Sequence, residues 1–106
     1  MRERFMRILI FFDLPVETSE DRKEYRRFRK FLIKEGFVMM QESVYSKLAL
    51  NGSALDLIVN KIKREKPKEG LVQILNITEK QFASIINICG ENKQNVIESA
   101  SRLVVL

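Results

Sequence analysis

Histidine and tryptophan do not occur in this 106-residue chain, cysteine occurs once, proline twice and glycine four times. Without histidine there is no imidazole to ligate zinc, and none to serve as general base for a serine or cysteine nucleophile. The chemistry left open rests on carboxylates, a hard metal ion, or hydroxyls assisted by lysine and arginine. The single Cys89 makes no intramolecular disulfide, and its place in the apolar run IINIC reads as a buried, inert thiol. No apolar run exceeds five residues. A membrane-spanning helix needs roughly 20 and a signal-peptide core about 7 to 15, so a cytoplasmic chain without a membrane partner is expected.

What is present is a balanced globular composition, 45% apolar and 31% charged. That balance fits one soluble domain over residues 1–106, large enough for a modest core and small enough that an oligomer would help it. The formal net charge is +5 and the pI about 9.6. An excess of that size favours polyanionic partners, and its placement along the chain matters more than its total.

The run RILIFFDLP opens the folded part. Residues 5–13 read as a strand rich in Ile and Phe that ends on Asp13, and Pro15 forbids its continuation. Thr18 and Asp21 match a capping box, and Gly36 stands where a helix-ending residue with positive φ is expected. Between them Tyr25, Phe28, Phe31 and Leu32 recur at helical spacing as a buried stripe. Residues 37–50 read as one extended stretch running to a turn at Asn51 and Gly52. Ser53 and Asp56 suggest a second capping box, followed by Leu55, Ile58, Val59 and Ile62 on one face of a short helix that Pro67 and Gly70 end. Leu71–Thr78 is the third strand, residues 79–81 a turn, and residues 82–89 a further strand. Residues 90–106 read as a polar loop and a terminal strand, Arg102, Leu103, Val104, Val105 and Leu106.

This order, with short connections, predicts an α+β fold. The economical form is a ferredoxin-like βαββαβ sandwich with an additional C-terminal strand, both helices on one face and the first and third strands central. A sheet wet on one side should alternate apolar and polar residues, and this one largely does not. Ile8, Ile10 and Phe12 point one way and Leu9 and Phe11 the other, and Leu71, Leu75 and Ile77 oppose Val72 and Ile74. Leaving about six such side chains in water would forgo roughly 9 to 18 kcal/mol, comparable to a small domain's whole stability. A homodimer through the sheets is therefore expected. The other solution is a loop or terminal segment of the same chain covering that face.

The first helix carries a concentrated charge. At about 100° per residue, Arg22, Lys23, Arg26, Arg27, Arg29, Lys30 and Lys34 share an arc of roughly 160° opposite Tyr25, Phe28 and Leu32. Glu20, Asp21, Glu24 and Glu35 fall on the flank or near the ends and do not interleave as an ion-pair ladder would. Arginine's planar fork fits phosphate, so this face is the candidate nucleic-acid surface, suited to backbone contact because the helix aromatics are needed by the core. Ile33 interrupts the arc. The second cluster, KIKREKPK, suits a solvated helix end as well as a phosphate.

Five pieces of the sequence, FDLP, KFLIKEGF, QESVYSKL, TEKQF and SRLVVL, resemble in order and spacing the CRISPR-associated endoribonuclease two family, in particular members from type II systems. The resemblance implies a homodimer that joins dimers of the CRISPR integrase subunit and holds duplex DNA for spacer acquisition, with single-stranded RNA as the other candidate ligand. It also implies a Mg2+-dependent endonuclease in which Asp13 is the catalytic residue and metal ligand, and a terminal segment, Arg102 to Leu106, that pairs with a neighbouring chain. Magnesium takes six oxygens, so one Asp13 per chain calls for a twofold mate. The bland reading of Asp13, hydrogen bonding to amides of the turn before Thr18, stays open at this point. A scaffold needs no hydrolysis at all.

Overall fold

The computed structural model describes residues 5–90. Seven elements follow in order: β1 (Met6–Asp13), α1 (Ser19–Lys34), β2 (Val38–Gln41), β3 (Val44–Ala49), α2 (Gly52–Glu65), β4 (Leu71–Thr78) and α3 (Glu79–Ala83). The strands form one antiparallel sheet in the order β2-β3-β1-β4, the strand order of a ferredoxin-like fold.

Alternation along β1 builds the core. Ile8, Ile10 and Phe12 are buried on the face that also receives Phe28 and Leu32 of α1 and Ile62 of α2. Phe12 meets Phe28 edge-on at 5.4 Å between ring centroids and stacks on Tyr45 at 5.6 Å, arrangements that suit the aromatic quadrupole. Tyr25 and Phe31 flank this cluster half-buried, as the helical stripe predicts.

α1 begins where the sequence places it. Thr18 accepts from the Asp21 amide at 3.0 Å while the Asp21 carboxylate accepts from the Thr18 amide at 3.2 Å. Gly36 follows at φ +97°, a conformation in which a side chain would be strained.

Several expectations are corrected. Residues 37–50 fold as a hairpin, with β2 and β3 turning at Glu42 and Ser43 and a bulge between Met39 and Gln41. The central strands are consequently β1 and β3, while Leu71–Thr78 is the outer strand of the described sheet. α2 is capped by Asn51, whose side chain accepts from the Ala54 amide at 2.9 Å, and not by Ser53 with Asp56. Residues 82–89 form no strand. Thr78 and Gln81 close a second capping box that starts α3, and Arg7 seats its guanidinium 4.3 Å above the Phe82 ring while pairing with Glu79 at 2.7 and 2.8 Å. Cys89 is accordingly exposed, not buried. Ile85, Ile86 and Ile88 are exposed as well. The terminal strand expected at Arg102, Leu103, Val104, Val105 and Leu106 lies outside the described residues. No helix among the described residues is long and apolar enough to cross a membrane.

Candidate nucleic-acid interface and strand-end carboxylate

Asp13 is the last residue of β1, opposite Leu71 of β4. The two strands approach closely here: a Cβ on Gly70, which has φ +102°, would stand 2.6 Å from the Asp13 carbonyl oxygen and 2.7 Å from Leu14. Only glycine fits that position. The Asp13 side chain is exposed and makes no hydrogen bond among the described residues. The amide-acceptor reading is therefore not what the structure supports. The turn is held instead by Arg22, whose Nη1 donates to the Val16 and Glu17 carbonyls at 3.0 and 3.1 Å.

Beside Asp13 lies an open cavity of about 370 Å³ walled by Val16, Arg22, Tyr25, Arg26, Glu42 and Ser43. The hairpin turn is clipped over it twice. The Phe12 amide donates to the Ser43 carbonyl at 3.1 Å, and the Tyr25 hydroxyl donates to the Glu42 carbonyl at 3.1 Å with Ser43 Oγ 3.4 Å away. Among the described residues no three of His, Cys, Asp or Glu stand together as a metal-ligand group. Asp13 of one chain therefore falls short of the oxygen set that magnesium requires, with Glu42 the other carboxylate on this cavity.

All seven cations of α1 are exposed, and the structure divides them by what holds them. Lys23, Arg26, Lys30 and Lys34 have no hydrogen-bond or ion-pair partner among the described residues. The edges of the arc are tied down. Arg29 Nε donates to the buried Tyr45 hydroxyl at 2.9 Å. Arg27 pairs with Glu24 at 2.9 Å and with Glu65 of α2 at 3.1 Å, and donates to the Glu65 carbonyl at 2.8 Å. That hydrogen-bonded guanidinium holds the Glu24 carboxyl below its usual range, and Glu24 in turn raises the Arg27 pKa. Arg27 does carry an i,i+3 ion pair, which the helical reading set aside. Its second partner sits 38 positions away, and nothing in local spacing signals it.

Ile33 is 49% exposed within the basic arc. In the second cluster Lys61 bonds Glu35 at 3.1 Å, while Lys63, Arg64, Lys66 and Lys68 are exposed at the end of α2 and beyond it. On the sheet face away from the helices, Val38, Leu48, Leu71 and Leu75 are exposed, Phe11 and Ile77 are half-buried, and Leu9 is buried.

Comparison with known proteins adds to this geometry. The family model described as CRISPR associated protein Cas2 matches residues 6–85. The "CRISPR-associated endoribonuclease Cas2" of Treponema denticola is 54% identical over 101 residues, covering 95% of this chain and 100% of that protein. The protein of the same name from Streptococcus mutans is 50% identical over 95% of this chain and 93% of its own length. That of Ligilactobacillus salivarius is 46% identical, covering 95% and 100% respectively.

Proposed function

This chain belongs to the CRISPR-associated protein Cas2 family, and on that premise we propose that it serves CRISPR spacer acquisition in the cytoplasm as a dimeric scaffold. Two copies join through their sheets, their α1 helices grip the backbone of duplex DNA, and the assembly bridges dimers of the CRISPR integrase subunit. The observation that carries the reading is the set of four cations, Lys23, Arg26, Lys30 and Lys34, that have no partner among the described residues and share one exposed helix face. Phosphates supply a countercharge that the described residues do not. The sheet faces support the dimer, because Val38, Leu48, Leu71 and Leu75 stand exposed together, among the described residues, on the side that α1 and α2 leave uncovered.

A second reading, Mg2+-dependent cleavage of a phosphodiester, is favoured by one observation. Asp13 leaves the strand end exposed and, among the described residues, free of hydrogen bonds, next to a cavity bearing Arg22 and Arg26 that suits a phosphate. A bound magnesium ion would polarise the phosphoryl oxygen there. Asp13 would hold it, with a partner copy's carboxylate completing what one chain lacks. The relatives' names speak of endoribonuclease activity in those proteins.

Spacer acquisition in cells separates the readings. With Asp13→Ala the scaffold account expects acquisition to continue, and with Arg26→Glu and Lys30→Glu together it expects acquisition to stop. Loss of acquisition with Asp13→Ala, in a protein that still dimerises and binds DNA, would replace the scaffold reading by the catalytic one.

A further inference from the structure

The basic face of α1 is not uniformly polar, and the exception has a position. Ile33 is 49% exposed and lies within the arc, one helical turn from Arg29 and Lys30, next to Lys34, and seven residues, about 10 Å along the axis, from Arg26. Val16, 52% exposed, stands at the other end beside Arg22 and Arg26. Apolar groups thus bracket the cations along the same surface. Among the described residues Ile33 does not join the core cluster, and it does not lie on the sheet face, so neither the described core nor sheet-to-sheet association uses it.

A nucleic-acid strand has a matching alternation, since anionic phosphates are separated by sugars. The edge of a deoxyribose is a methylene, and that of a ribose is a hydroxyl that both donates and accepts hydrogen bonds. A branched aliphatic side chain held among phosphate-binding cations can pack on the methylene. Against the hydroxyl it strips water and offers nothing in return.

Resting on the scaffold reading of this same face, we propose that Ile33 reads the sugar and makes α1 selective for a deoxyribose backbone over a ribose one. Val16 supports the same preference from the far end of the face. Lys30 and Lys34 bring the strand to the surface without telling the two sugars apart, because phosphates are common to both.

The test uses the full chain at fixed salt, titrating a DNA duplex and the same duplex with ribonucleotides at alternate positions of one strand. The wild type is expected to prefer the all-deoxy duplex by about 5- to 10-fold, the effect of one poorly solvated hydroxyl. Ile33→Ser, at an exposed helical position, should bring the ratio close to one. The slope of log K against log salt should stay unchanged, since no charge is removed. A ratio that stays put in Ile33→Ser, or equal binding of both duplexes by the wild type, overturns the proposal. An Arg26→Glu and Lys30→Glu variant keeps the two levels separate. If it loses both duplexes while Ile33→Ser leaves the ratio intact, the scaffold reading stands and sugar selection alone falls. If it binds both as the wild type does, both fall.

Discussion

Arg26 and Arg27 stand side by side in the sequence and leave the helix about 100° apart, so that one faces water and the other faces α2. Arg27 is an internal tie to Glu24 and Glu65, whereas Arg26 is exposed with no partner among the described residues. Arg27→Ala should therefore lower stability by roughly 0.2 to 1 kcal/mol, the range of exposed ion pairs, and leave duplex affinity near the wild-type value. Arg26→Ala should do the reverse, with the melting temperature unchanged and the salt slope of binding reduced by about 1. Thermal melts beside a salt titration decide both. The Arg27–Glu24 pair also sets a pH dependence. The folded-state pKa of Glu24 lies below 4.5, so its contribution is complete above 4.5 and is lost as the pH falls through the lower folded value. The stability difference between wild type and Arg27→Gln should consequently shrink in urea melts as the pH is taken below that point, and solvent exposure keeps the whole effect small. At Gly70 the issue is space. Gly70→Ala drives a Cβ toward the Asp13 carbonyl at positive φ, and a loss of at least about 1 to 3 kcal/mol is expected in denaturant titrations, with Asp13 displaced along with it.

Among the elements, α1 was legible in full because every local signal agreed. Its cap, its apolar stripe and its terminating Gly36 come from the sequence alone, and Thr18→Ala should cost roughly 0.5 to 2 kcal/mol for the lost half of the capping box. β1 and β4 were legible for the same reason. The hairpin was not, since Glu42 and Ser43 carry no glycine, asparagine or proline to mark a turn, and Val38 to Ala49 reads as a single β-prone run. What makes the turn is tertiary, the Tyr25 hydroxyl and the Phe12 amide reaching across to it. α3 is too short to show a period. Its start is marked by Thr78 and Gln81, a box that the turn reading of residues 79–81 passes over, and the isoleucines at 85, 86 and 88 read as a strand. For the site, the cations and Asp13 were found from spacing and position, while the division of the cations into tied and free depended on Glu65 and Tyr45, which only the folded chain brings near.

At the scale of the whole molecule, the fold puts charge and grease on opposite sides. α1 and α2 cover one sheet face and present Lys23, Arg26, Lys30 and Lys34 outward, while Leu48, Leu71 and Leu75 remain exposed on the other among the described residues. In the proposed dimer, a chain of 12.5 kDa would pair such a face with a copy, which would leave both basic helices on the outside of the assembly. Leu75→Glu should therefore weaken self-association in sedimentation experiments while leaving the helical fold intact by circular dichroism. The most direct measurement of the central claim is the salt dependence of duplex DNA binding by the wild type and by a variant with Lys23, Arg26, Lys30 and Lys34 all changed to glutamine. The account predicts a steep linear fall of log K with log salt for the wild type, and a slope shallower by about 1 for each phosphate contact removed per chain. Identical slopes for the two proteins would contradict it.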